Sequence, residues 1–99
     1  MRMMLKVTIP VDTGNAAIAD GSLAPTMMKF VEKMQPEATY FIVEDGMRTV
    51  LFFLDMQDAS DLPSLAEPFF LGLEAGVTVT PAMDPADMQA GVEKAMAAS

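Results

Sequence analysis

The chain has 99 residues, a formal net charge of −8 and a pI near 4.1, and it contains no Cys, His or Trp. Without Cys and His there is neither disulfide nor thiolate chemistry, and the commonest general base and the commonest transition-metal ligand are both missing. The acidity argues against nucleic acid and membrane partners, which require clustered Lys and Arg, and is read as a device for solubility.

This length suits one domain, 1–99, able to bury a core without staples. Counting Gly and leaving out Tyr, about 57% of the residues are apolar, against roughly 45–50% in an average soluble domain. The surplus points to an oligomer interface, with a ligand cavity as the other use. The N-terminus MRMMLKVTIPVD lacks a long apolar core and carries Lys6, so it reads as neither a signal peptide nor a membrane span, and a cytoplasmic location is expected by default. Eleven Met residues read mainly as core filler.

Residues 3–9 alternate, with Met3, Leu5, Val7 and Ile9 facing one way and Met4, Lys6 and Thr8 the other. That predicts a half-buried strand ended by Pro10. Segment 11–21 (VDTGNAAIADG) reads as a loop with a short helical turn. Ser22 precedes a helical run with Pro25 in its first turn, where the missing N–H costs nothing. Leu23, Met27, Phe30, Val31 and Met34 form its apolar stripe, and Pro36 stops it.

The stretch YFIVEDGMRTVLFFLDM, 40–56, reads as a hairpin around Asp45-Gly46, a two-residue loop of type I′. That loop pairs Glu44 with Met47, Ile42 with Thr49, Tyr40 with Leu51 and Ala38 with Phe53, and these eight side chains share one face. The other face carries Thr39, Phe41, Val43, Arg48, Val50, Phe52 and Leu54, a set suited to lie under helices. Asp58 and Ser60 are candidate caps of a second helix, with Leu62, Leu65, Ala66, Phe69 and Leu73 as its stripe. Pro68 inside it is expected to kink or shorten it. Residues 75–80 read as a last strand, with Val77 and Val79 opposing Thr78 and Thr80. Asp84-Pro85-Ala86-Asp87 opens a terminal helix, about 85–97, whose short apolar side is Met88, Val92, Ala95 and Met96.

The predicted order is β-α-β-β-α-β plus a terminal helix, an α+β ferredoxin-like sandwich with a four-stranded antiparallel sheet. Both crossover helices then lie on one face. The other face, with Tyr40, Ile42, Leu51 and Phe53, is left as an apolar patch. A second copy of the same sheet is the economical cover, because a two-fold contact is self-complementary.

This order of elements resembles the dimeric α/β-barrel superfamily, in which two ferredoxin-like sheets face each other. The words PEATYF (36–41), VEDGMRT (43–49), AEPFF (66–70) and VTPAM (79–83) are similar to small uncharacterised bacterial proteins of that kind. The likeness spans most of the chain. It implies a homodimer and a cleft between sheet and helices, and it attaches no activity.

Several residue groups have the chemistry for a site. Lys6, Thr8, Tyr40, Glu44 and Thr49, joined by Thr78 or Thr80, become cleft lining if the mixed hairpin face is the inner one. Lys6 with Glu44 or Tyr40 has the makings of an acid/base pair where desolvation shifts their pKa values. The commoner alternative is an inter-subunit salt bridge or a Lys that snorkels at the sheet margin. Arg48, beside the turn, has the fork to grip a carboxylate or phosphate, against local pairing with Asp45 or Glu44. Asp55, Asp58 and Asp61 lack the alternating ligands and central Gly of a calcium loop, and acids at a helix start need no metal; Asp84 and Asp87 read the same way. No GxGxxG, P-loop or nucleophile elbow occurs.

The expected function is a non-catalytic homodimeric module without cofactor, binding a small apolar or aromatic molecule at the sheet face or in the sheet–helix cleft. One alternative is an enzyme. Some relatives in the superfamily oxidise electron-rich aromatics as cofactor-independent monooxygenases, commonly with His, Trp or Asn in the cleft, and others bind haem through His. This chain has no His or Trp, and its one Asn, Asn15, is expected in a loop. The other alternative is a partner-binding subunit that docks through the Met-rich helices or the terminal helix.

Overall fold

The computed structural model describes residues 1–98. Its elements run β1 (Arg2–Ile9), α1 (Val11–Ala19), α2 (Leu23–Met34), β2 (Ala38–Glu44), β3 (Met47–Asp55), a single 3-10 turn (Ala59–Asp61), α3 (Leu62–Leu73), β4 (Gly76–Pro81) and α4 (Pro85–Ala98). The four strands form one antiparallel sheet in the order β2-β3-β1-β4. The protein is therefore α+β, and its strand order is compatible with the ferredoxin-like arrangement expected from the sequence.

The hairpin has the predicted register, Glu44 opposite Met47 and Ala38 opposite Phe53. Asp45 and Gly46 both have positive φ, 53° and 75°, as a type I′ turn demands. Alternation in β1 sorts with it. Met3, Leu5, Val7 and Ile9 are buried on the same side as Val50, Phe52 and Leu54. Onto that side pack Met27 and Phe30 of α2 and Leu65, Phe69 and Leu73 of α3, as their helical spacing predicts. Three rings from three elements meet at the centre. Phe30 lies 4.5 Å from Phe52 and 4.8 Å from Phe69, and Phe52 stacks on Phe69 at 5.8 Å. Such pairs add about 0.5–1.5 kcal/mol beyond the area they bury.

Segment 11–21 departs from its expected loop. It is a nine-residue helix, α1, that starts after Pro10 and ends where Gly21 takes φ 78°. Its only buried residues are Gly14 and Ala17. Small residues let the helix lie close to β1 and β3, and they also leave no apolar stripe for a periodicity argument to detect. Pro68 does not shorten α3, which runs unbroken over its twelve residues. Ser22 occupies the N-cap position of α2 without a side-chain cap bond. Asp58, expected to cap the second helix, caps the 3-10 turn before it instead: its carboxylate accepts from the Ser60 N–H and hydroxyl, and Asp61 answers in a capping box, while α3 itself starts at Asp61 without a side-chain cap bond.

The largest correction concerns the helix side of β2. Phe41 and Val43 were expected under the helices, yet they are 66% and 77% exposed. β2 is the sheet edge, and α2, which packs on the core through Met27 and Phe30, leaves the edge uncovered.

α4 covers nothing. None of its residues is buried, and it has no substantial packing against another element. The domain measures 55 × 28 × 19 Å with a radius of gyration of 15.9 Å, where a compact chain of this length has about 13 Å. The accessible surface is 6371 Å², roughly 900 Å² above the ~5,500 Å² that size scaling gives for a compact monomer of this mass.

Acid response follows from the helix starts. The Ser60 hydroxyl and N–H hold the Asp58 carboxyl below its usual range, and the Asp87 backbone N–H does the same for Asp84. A carboxyl depressed in the native state stabilises the fold above its unfolded-state value, and that contribution is lost as pH falls through the native-state value. No His titrates between pH 8 and 5. Thermal melts followed by circular dichroism are therefore expected to be flat from pH 8 to 5 and to fall below about pH 4, the ordinary carboxyl range. Asp58→Asn is expected to remove part of that acid dependence.

Candidate functional site

The two faces of the sheet carry two different candidate sites. On the face without helices, β1 contributes Met4, Lys6 and Thr8, β3 contributes Thr49, Leu51 and Phe53, and β2 contributes Tyr40, Ile42 and Glu44. Register places Lys6, Leu51 and Tyr40 in one row across the strands and Thr8, Thr49 and Ile42 in the next. The Lys6 ammonium donates to the Glu44 carboxylate. Because Glu44 lies beyond the second row, this ion pair crosses the sheet diagonally over Thr49. Thr49 is 1% exposed although no helix covers that face, and its hydroxyl donates to the Met47 carbonyl at 3.1 Å.

Of the residues expected to line a cleft, Lys6 and Glu44 therefore come together and Thr49 lies beneath them. Thr8 is half-buried beside Thr49, and Thr78 and Thr80 are exposed on β4. Tyr40 stands mostly in solvent, its ring meeting Phe53 edge-on at 6.4 Å. Ile42 is exposed, and Leu51 and Phe53 are half-buried. A tyrosine, three apolar side chains and one neutralised ion pair make a surface suited to contact.

The second site lies on the helix side, where α2 stops short of the sheet edge. A groove of about 520 Å³ runs between them, lined by Ile9, Leu23, Ala24, Met27, Met28, Phe41, Ile42, Val43, Arg48, Thr49 and Val50. That size falls within the roughly 300–1,000 Å³ of small-molecule pockets. Arg48 is the single charged residue of the lining. It sits opposite Val43 in the hairpin, and its Nη2 donates to Asn15 Oδ1 at 3.0 Å. It does not pair with Asp45 or Glu44, as local sequence suggested. Asn15 is in helix α1, not in a loop. The absence of a side chain at Gly14 makes room for Arg48: a Cβ there would stand 2.7 Å from its Nη1 and 3.2 Å from Ile9 Cγ2.

Of the groove residues, Thr49 was expected in a cleft and Ile42 on the contact face, and Arg48 was a candidate anion grip; the others were not recognisable as a site. The one local sign was an apolar residue, Met28, lying off the stripe of its helix. A further hollow of about 560 Å³ lies near the start of α4, bordered by Arg2, Glu37, Asp55, Asp84 and Asp87 among others. Its charges are mutually satisfied. Arg2 reaches Glu37 at 2.8 Å, Asp87 at 3.4 Å and Asp84 at 3.7 Å, and so roots the first turn of α4.

Asp84 and Asp87 also form a reciprocal pair at the helix start, the backbone N–H of each donating to the carboxylate of the other. Asp55 takes the N-terminal ammonium and the Gln57 amide, both at 2.5 Å. Among the described residues no group of three or more acidic, His or Cys side chains is placed to hold a metal ion, and no helix is long and apolar enough to cross a membrane.

The fold and sites define an α+β protein with an uncovered sheet face and an apolar groove. No family model and no curated protein matches the chain.

Proposed function

We propose that the chain is a non-catalytic homodimeric module: it pairs through the uncovered face of its sheet, as in a dimeric α/β barrel, and holds a small apolar molecule in the groove beside α2. The observation that carries this reading is the asymmetry of the sheet, whose fully buried apolar residues all lie on one face while Tyr40, Ile42, Leu51 and Phe53 lie on the other. Two-fold pairing would set the apolar residues of one face against their copies.

Pairing also supplies a role for α4. Rooted at Arg2 and with no buried residue, it offers the exposed Met88 and Val92 to a second copy. Binding is favoured over catalysis because the groove lining offers one charged group, Arg48, and no second ionisable residue beside it to exchange a proton.

Light scattering tests the pairing: a mass of about 21 kDa is expected, two copies of the 10.6 kDa chain. A monomer at micromolar concentration would overturn it. The groove is tested by titrating a neutral naphthalene amide, whose fluorescence is read without interference because the chain has no Trp. Ala24→Phe, which fills the groove from an exposed helix position without adding a Trp, is expected to abolish that binding.

A further inference from the structure

We propose that the ligand of the groove is anionic at one end, a small apolar or aromatic carboxylate whose body lies among Met28, Phe41 and Val43 and whose carboxylate meets Arg48. The inference rests on the groove reading above and adds the chemical class of the occupant.

Charge placement carries it. Three basic residues, Lys29, Lys33 and Lys94, are exposed and have no ion pair among the described residues, whereas of the three that are half-buried, Arg2, Lys6 and Arg48, the first two are paired with carboxylates. Arg2 has Glu37, Asp84 and Asp87, and Lys6 has Glu44. Arg48 has no ion pair among the described residues. Its partner is the neutral Asn15 side chain, and no carboxylate lines the groove. A guanidinium has five N–H donors, and the bond to Asn15 uses one of them. The others remain for a planar anion, which the Arg fork binds through two parallel bonds.

Position strengthens the case. Arg48 is half-buried, packed against Gly14 and held by Asn15. Its fork is thus placed before any ligand arrives, which lowers the entropy lost on binding. Apolar walls beside it lower the local dielectric and strengthen an ion pair formed there. A neutral apolar ligand would leave the guanidinium at the groove without a counter-charge. A phosphate or sulfate lacking an apolar body would forgo the walls.

The test compares 2-naphthoate with 2-naphthamide, which share a shape and differ in charge, by fluorescence titration against the full chain. Naphthoate is expected to bind at least about tenfold more tightly, the scale of one charge-assisted bond, and its affinity should fall with added salt while that of the amide does not. Arg48→Gln, which keeps a polar side chain and removes the charge, is expected to bring the ratio near one. Arg48→Met should do the same, which guards against a folding defect peculiar to either variant. Equal affinity of acid and amide for the unmodified chain would overturn the anionic reading and leave the groove reading standing. Failure of both to bind would overturn both. If Ala24→Phe then also converted the 21 kDa species to one of 10.6 kDa, twice and once the chain mass, the groove would be a contact between copies.

Discussion

Leu51→Glu is expected to convert a species of about 21 kDa into one of 10.6 kDa, the mass of a single chain, without loss of secondary structure. Leu51 lies between Lys6 and Tyr40 in the middle of the uncovered face. Its side chain points away from the core, so a carboxylate there remains solvated in the monomer and the fold survives. In the dimer each new Glu would be carried into an apolar contact, close to its own copy across the two-fold. An uncompensated charge in such a setting costs about 3–5 kcal/mol, which weakens association by more than about a hundredfold.

The result distinguishes this face from other routes to a dimer. Were the copies joined only through α4, Leu51→Glu would leave the mass at about 21 kDa, twice 10.6 kDa, and the barrel-like pairing would be refuted. Salt gives an independent reading. Each copy carries −8, so the copies repel at long range, and screening should tighten an apolar interface.

The second large effect is on stability. Phe69→Ala is expected to lower it by about 3–5 kcal/mol, the usual range for emptying an aromatic site in a core. Phe69 is fully buried and touches rings from both α2 and β3. Its removal leaves Phe30 and Phe52 facing a void that a helix pinned to the sheet cannot close. A domain of this size has only about 5–15 kcal/mol in total. At about 4–8 °C per kcal/mol, the melting temperature should drop by roughly 12–40 °C. Phe70→Ala, one residue along and 43% exposed, supplies the comparison and should cost within about 1 kcal/mol. Similar losses for the two variants would mean that the three-ring cluster is not the centre of the core.

How much of this was legible beforehand depends on the range of the forces involved. The hairpin register followed from Asp45-Gly46 alone, because a two-residue loop of positive φ leaves one pairing open. The stripes of α2 and α3 followed from spacing, since side chains three and four apart share a helix face whatever the rest of the chain does. Helix α1 was not legible: its buried side is Gly14 and Ala17, and close approach leaves little hydrophobic signal. Residue types alone allow a Lys6–Glu44 pair, but its diagonal position over Thr49 depends on the order and register of three strands.

Sequence by itself determined which residues share a face, where the turns fall and that an apolar surplus exists. Those properties are local, set by backbone periodicity and by turn chemistry over a few residues. Only the tertiary structure decided which faces are covered. Phe41 and Val43 carry the same alternation as Phe52 and Leu54, yet the first pair is exposed and the second buried. The difference is that β2 is an edge strand and α2 does not reach it. The meeting of Arg48 with Asn15, 33 residues apart, has the same origin. It exists because α1 lies across the hairpin, and no pattern within either segment encodes that placement.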